Sequence, residues 1–169
     1  LLKYHIYFDE TVYFGEDVPY NILYLQCSES IYFSCTIGYH YICHQRTRLT
    51  GKWNELLFEE NARIFNEIIH FEKKFLNLDK HPLASGMYLR GCFLSVEKAL
   101  KYGKKYHELT FAVKQMLNSP YTIKSLYFLE GNSLSFEFWI YKKIIDLHNP
   151  LVLFLAVIVR KNIKSIMGR

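Results

Sequence analysis

The chain has 169 residues, of which half are hydrophobic and 22% are charged, and its formal net charge is +5. This length and composition predict one globular domain and exclude a disordered chain. The longest apolar run, residues 151–159, is about half as long as a membrane helix must be, so we expect no membrane span. Because the chain does not begin with Met, we expect it to be a piece of a longer protein.

The cysteines and histidines favour free thiols and no metal site. The four cysteines form no CxxC pair, and their spacing fits no zinc motif; they are Cys27, Cys35, Cys43 and Cys92. No HExxH sequence occurs among the seven histidines. Free thiols indicate a reducing compartment, so we expect an intracellular protein, nuclear or cytoplasmic.

The first elements in chain order are predicted strands. A turn signal at residues 15–19 precedes strands at 21–26, 30–36 and 38–43, which are rich in Ile, Leu, Tyr and Phe. We expect residues 1–38 to supply strands of unassigned role to the same domain as residues 39–169.

Two helices are predicted in the middle of the chain. Apolar residues recur at helical spacing over residues 53–75; they are Trp53, Leu56, Leu57, Ile64, Ile68 and Phe71. A brief extended segment at 86–89 is followed by a short helix, with Ser95 as its N-cap and Gly103 closing it after Tyr102.

Strands are predicted again at the end of the chain, over residues 108–115, 136–144 and 151–159. Strands at both ends with two helices between them predict an α+β fold, not alternating β-α units.

No P-loop, GxGxxG or GxSxG sequence occurs. Three other segments follow one another along the chain. The first, residues 41–47, ends an apolar strand at His44 and continues with Gln45. The second, residues 85–102, contains a Gly-x-Tyr sequence ending at Tyr88. The third begins with Glu137 and ends at Tyr141.

Together these segments resemble the poly(ADP-ribose) polymerase branch of the ADP-ribosyltransferases, which carries a His-Tyr-Glu triad on three strands of a split sheet. The resemblance implies a split antiparallel or mixed sheet with a few helices over residues 39–169, and NAD as the cofactor. It implies that His44 holds the adenosine ribose, that Tyr88 stacks on nicotinamide and that Glu137 is the catalytic carboxylate.

Further cofactor contacts follow from the same resemblance. Ser95 would bind the carboxamide of nicotinamide, and Tyr102 would form the opposite wall of the pocket. Gln45 stands where the family has a Gly whose backbone clamps that carboxamide, and two extra residues separate Tyr88 from Ser95. In such a site, a carboxylate stabilises the oxocarbenium-like ribose that forms when nicotinamide leaves.

The departures from the family pattern favour a pseudoenzyme that acts as a protein-interaction or assembly module, with a protein partner. The alternative is an active NAD-dependent mono-ADP-ribosyltransferase that uses His44, Tyr88 and Glu137. A third interpretation is a nucleic-acid-binding module, based on the positive charge and on aromatic side chains available for stacking.

Overall fold

The computed structural model describes residues 4–10, 15–30, 32, 34–36, 56–131 and 135–166. The chain divides into two compact units, Leu1–Lys52 and Trp53–Arg169. The expectation that residues 1–38 share a domain with residues 39–169 stays a prediction. The described residues are largely helical and form no strand, so the predicted α+β fold with a split sheet is wrong.

The first unit contains one described helix, α1 (Asp17–Gln26). It occupies the predicted strand at 21–26 and buries Ile22. Pro19 is compatible with a helix here, because the N–H groups of the first turn have no intrahelical acceptor and a proline there loses no hydrogen bond. The described residues of the predicted strand at 30–36 are also not a strand, and the predicted strand at 38–43 lies outside the described residues.

The second unit is a bundle of helices. They are α2 (Leu57–Phe71), α3 (Pro82–Lys101), α4 (Tyr106–Leu117), α5 (Pro120–Phe128), α6 (Phe136–Asp146) and α7 (Pro150–Ile166). A π-helical turn, Glu72–Leu76, extends α2 and ends at Asn77, which has a left-handed φ of 49°. No helix in the described part of the chain is long and apolar enough to cross a membrane.

Helix α2 confirms the predicted helix at 53–75, but its buried face is displaced. Its buried apolar residues are Leu57, Ala62, Phe65 and Ile69, whereas Leu56, from the predicted stripe, is exposed. The buried face is therefore turned relative to the predicted stripe but overlaps it at Leu57, and Ile68 of the stripe is partly buried against the core.

Helix α3 lies at the centre of the bundle and packs against α2, α5, α6 and α7. The predicted extended segment at 86–89 is wrong, since it forms part of this helix, and Ser95 lies in its interior instead of at an N-cap. Gly103 does end the helix: it has φ +78°, and its N–H and that of Lys104 donate to the carbonyls of Leu100 and Ala99. This pairing is a Schellman motif.

Three predicted strands near the end of the chain are helices α4, α6 and α7. Side-chain caps open the helices in this region: Ser119 Oγ accepts from the Thr122 N–H, Ser135 Oγ from the Phe138 N–H and Asn149 Oδ1 from the Leu151 N–H. The buried residues of α4 are spaced by three and four; they are Leu109, Val113, Met116 and Leu117. Caps and spacing both specify helix.

Two glycines let neighbouring helices approach the backbone of α3. A Cβ on Gly86 would lie 2.5 Å from the ring of Phe138 on α6, and a Cβ on Gly91 would lie 2.4 Å from Oδ1 of Asn61 on α2. Asn61 Nδ2 donates to Ser95 Oγ at 3.0 Å. The missing side chains therefore make room for an aromatic ring on one side and a buried amide on the other.

A buried polar pair joins the π-helical turn to the start of α3. His81 Nδ1 lies 2.7 Å from Glu72 Oε2, and both side chains are almost completely buried. The His81 ring also meets Phe128 of α5 edge to face, with centroids 4.9 Å apart. Because a buried carboxylate needs a partner, this pair holds the start of the π-helical turn next to the residue that precedes α3.

Gly91→Ala should destabilise the protein by about 1–2 kcal/mol, since overpacking costs ~1–3 kcal/mol and the better helix propensity of Ala returns up to ~1 kcal/mol. Urea unfolding measures the change. In an Asn61→Ala background, the same substitution should cost much less, because the displaced amide is gone. An equal cost in both backgrounds would contradict the close approach.

His81→Ala should cost about 3–5 kcal/mol of unfolding free energy, because it leaves the Glu72 carboxylate buried without its partner. The double variant Glu72→Met/His81→Leu removes both polar groups and should be less destabilised than His81→Ala alone. Urea unfolding of the wild type, His81→Ala and the double variant tests this order. If the double variant is the least stable, the cost of His81→Ala does not come from leaving the Glu72 carboxylate without a partner.

Candidate functional site

The clearest polar cluster of the second unit is built around Glu137, in the first turn of α6. Tyr141 lies one turn further along the same helix, and its hydroxyl donates to Glu137 Oε1 at 2.5 Å. Glu137 Oε1 also lies 3.9 Å from Nε of Arg90 on α3 and 3.8 Å from Nη2 of Arg160 on α7. The carboxylate predicted to be catalytic is therefore held by one phenol and two guanidinium groups.

Arg160 links this cluster to the core. Its Nη1 donates to Glu97 of α3, and its guanidinium lies 5.7 Å from the centroid of Phe93 and 6.0 Å from that of Tyr141. These are cation–π distances. One side chain of α7 thus contacts both α3 and α6, and its charge is balanced by carboxylates from each.

The phenol of Tyr141 is kept in its neutral form. Burial raises the pKa of Tyr141 to about 12, and the hydrogen bond that it donates to Glu137 acts in the same direction. At neutral pH, Tyr141 is therefore a hydrogen-bond donor that orients the Glu137 carboxylate.

The cluster lies beside an apolar groove between α6 and α7, with a cavity volume of about 420 Å³. Two of its lining residues are charged, Glu137 and Arg160, and two are aromatic, Tyr141 and Phe93. Its remaining lining residues are aliphatic: Ile140, Ile144, Ala156, Val159 and Ile163.

The groove continues onto an exposed apolar face of α7. About half of each of five side chains on this face is exposed: Leu151 49%, Leu155 53%, Ile158 42%, Val159 55% and Ile163 51%. No charged residue occurs in α7 before Arg160. From Leu151 to Val159, the outer side of this helix thus carries aliphatic residues, as does the side that packs into the bundle.

Tyr88 lies elsewhere in the bundle. Its ring is buried beside Phe65 of α2, and its hydroxyl is 3.2 Å from Ser119 Oγ and 3.1 Å from Thr122 Oγ1. Burial raises the pKa of Tyr88 well above its usual range. The hydroxyl therefore serves as a neutral link between α3 and α5.

Ser95 and Tyr102 are also placed apart from Glu137. Ser95 Oγ donates to the Gly91 carbonyl at 2.8 Å and accepts from Asn61, and the residue is buried. Tyr102 is the C-cap residue of α3 and is half exposed. His44 and Gln45 lie outside the described residues.

Helix geometry explains why the predicted residues do not meet. Tyr88 and Ser95 are seven residues apart and share a face of α3, whereas Arg90 and Glu97 lie about 200° further round the helix. Tyr88 and Ser95 therefore face α2, while Arg90 and Glu97 face the Glu137 cluster. The structure does not bring Tyr88, Ser95 and Glu137 into one site.

Tyr88 instead lines a second cavity, of about 410 Å³, together with side chains of α2, α4 and α5. No group of three or more His, Cys, Asp or Glu side chains that could hold a metal ion occurs within the described ranges. No family model, curated protein or solved structure matches the chain. The resemblance to the ADP-ribosyltransferases therefore stays a prediction, without the split sheet that it implied.

Arg160, Arg90 and Glu97 were missed at the sequence level, because an ion-pair cluster assembled from distant helices has no local motif. A signal did exist for the α7 surface. Leu151, Leu155 and Ile158 follow one another at spacings of four and three, which is a helical pattern within a run that was interpreted as a strand.

The raised pKa of Tyr141 predicts how stability depends on pH. A folded-state pKa of about 12 against an ordinary value of 10.0 means that the stabilising contribution is complete below pH 10 and is lost as the pH rises towards 12. Tyr141→Phe should therefore lose less stability than the wild type over this interval.

Urea unfolding at a series of alkaline pH values measures this difference. Cys92, whose pKa burial raises to about 12, titrates in both proteins, so the comparison isolates Tyr141. Parallel stability curves for the wild type and Tyr141→Phe would show that the folded state does not favour the neutral phenol.

Proposed function

We propose that the helical unit Trp53–Arg169 is a protein-assembly module, and that it pairs through α7 with the α7 of a second copy of the chain. The proposal retains the interaction role predicted from the sequence and assigns it to a helical surface. The observation that carries it is the exposed apolar face of α7 beside the groove.

This face is unusual for a helix on a protein surface. Leu153, Phe154 and Val157 bury one side of α7 in the bundle, so amphipathic design would place polar residues on the other side. The outer side instead carries Leu151 and Leu155 together with the other half-exposed aliphatic residues. Contiguous apolar surface of this kind marks a binding site for another protein.

The spacing along α7 fits a helix as the partner element. Leu151, Leu155, Ile158 and Asn162 follow one another at intervals of four, three and four residues, which is the spacing of a seam between two packed helices. A second copy offers the same seam.

The charges favour an antiparallel arrangement of the two α7 helices. All the charged residues of α7 are positive and lie at its C-terminal end: Arg160, Lys161 and Lys164. A parallel pair would bring the two basic ends together, whereas an antiparallel pair separates them. The antiparallel pair also directs each basic end towards Asp146 of the second copy. Asp146 lies just before α7, and its side chain is half exposed.

Two-fold symmetry then places Leu155 and Ile158 near the axis of the interface. The apolar composition suits a homodimer, because homodimer interfaces are more apolar at their core than transient ones. Glu137 and Tyr88, which an active NAD-dependent transferase needs in one site, lie in separate environments. The active transferase and the nucleic-acid-binding module both stay predictions.

Sedimentation equilibrium of the 169-residue chain tests the proposal. The wild type should be a dimer, and Leu155→Asp should weaken association at least tenfold, which is about 1.4 kcal/mol, because it buries a carboxylate near the axis. Phe111→Asp is the matched control: Phe111 is an exposed apolar residue, 70% accessible, on the side of α4 opposite the buried residues of that helix.

A wild type that stays monomeric at high concentration would contradict self-association and leave the α7 face to a different protein. Equal weakening by Leu155→Asp and Phe111→Asp would show that the loss is not specific to α7.

A further inference from the structure

The start of α3 contains two buried polar atoms to which the described residues give no hydrogen bond. They are Nε2 of His81 and Oγ of Ser85, and both residues are completely buried. The two residues lie one helical turn apart, since the Ser85 N–H donates to the His81 carbonyl at 3.0 Å. Buried polar atoms in folded proteins nearly always have a partner, so this pair of atoms calls for one.

Ser85 differs from two other buried serines of the bundle. In the interior of a helix, a serine hydroxyl often donates to the carbonyl four residues earlier. Ser95 donates to Gly91 in this way, and Ser125 donates to Tyr121, both at 2.8 Å. Ser85 makes no such bond within the part of the chain that the structure describes. Its hydroxyl therefore has both its proton and its lone pairs to offer to another group.

The His81 ring needs a partner that can take either role. Its Nδ1 lies 2.7 Å from Glu72 Oε2. Because a carboxylate only accepts hydrogen bonds, Nδ1 is the donor, and Nε2 of the neutral ring is then an acceptor. In the imidazolium form, Nε2 is a donor instead. A water molecule satisfies Nε2 in both forms, since it donates as well as accepts.

The surroundings of the two atoms are apolar, and their spacing suits a very small ligand. Phe128 meets the His81 ring edge to face, and Leu89, one turn beyond Ser85, is completely buried. Helical residues one turn apart have Cβ atoms about 5–6 Å from each other. Two hydrogen bonds of about 2.8 Å that share one oxygen atom span such a distance.

We propose that one buried water molecule bridges His81 Nε2 and Ser85 Oγ. A hydrogen-bonded chain then runs from Glu72 in the π-helical turn through His81 and the water to Ser85 in α3. Buried waters commonly bond polar groups that the protein itself leaves unpaired. The proposal is independent of assembly through α7, because neither His81 nor Ser85 belongs to that helix.

The sign of the stability change in Ser85→Ala tests the proposal. If the water is bound, the substitution removes one of its partners and should raise the unfolding equilibrium constant about fivefold. If the hydroxyl is simply buried without a partner, its removal relieves an unpaired polar group and improves helix propensity, so stability should stay the same or rise. Urea unfolding of the whole chain separates the two results, and the second one overturns the proposal.

A double-mutant cycle shows whether the effect passes through His81. In the Glu72→Met/His81→Leu background, the water has no ring nitrogen to bond, so Ser85→Ala should change the unfolding equilibrium constant by less than about twofold. Ser95→Ala is the matched control, because this buried serine of the same helix bonds Gly91 and Asn61, and its effect should be equal in both backgrounds. A fivefold loss from Ser85→Ala in both backgrounds contradicts the bridge.

If the variants do not fold, a crystal structure of the wild-type chain decides by itself. It should show an ordered water oxygen within about 3.2 Å of both His81 Nε2 and Ser85 Oγ. A direct hydrogen bond between the two side chains, or apolar atoms in contact with both of them, would refute the proposed water site.

Discussion

Helix α3 is covered by other helices along most of its length, and the second unit depends on how closely they approach its backbone. At Gly86 the ring of Phe138 takes the space of a side chain, and at Gly91 the amide of Asn61 does the same. Because protein interiors are packed as densely as crystals, such positions tolerate little change. The two glycines lie five residues apart, on different sides of α3, so one helix accepts α2 on one side and α6 on another.

This central position of α3 also separates the Glu137 cluster from the cavity of about 410 Å³ that Tyr88 lines. Tyr88, which faces α2, lines that cavity, whereas Arg90 and Glu97 contribute to the cluster with Glu137. A sequence pattern that joins Tyr88 to Glu137 assumes neighbouring strands of a sheet. In a bundle, the same residues fall on different sides of the central helix, and each finds its own hydrogen-bond partners.

The sequence predicted some of these elements correctly, and the reasons differ from one element to the next. The helical period of α2 could be predicted because charged residues separate its apolar positions, and Gly103 correctly indicated the end of α3. Helices α6 and α7 were interpreted as strands because Ile, Val, Phe and Tyr have high β-propensity, which is a weak preference that tertiary packing overrides. The caps at Ser135 and Asn149 were the stronger signal. The cluster around Arg160 could not be predicted, since Arg160 and Glu97 are 63 residues apart.

The uncharged run at 151–159 explains both the wrong strand and the proposed interface. In a strand at the centre of a sheet, both faces of such a run are covered by the same chain, so apolar residues at every position are normal. In a helix, the bundle covers one side only, here through Leu153, Phe154 and Val157. The helical fold therefore leaves Leu151, Leu155 and Ile158 about half exposed among the described helices. In the proposed dimer, the α7 of a second copy has the same spacing and buries them.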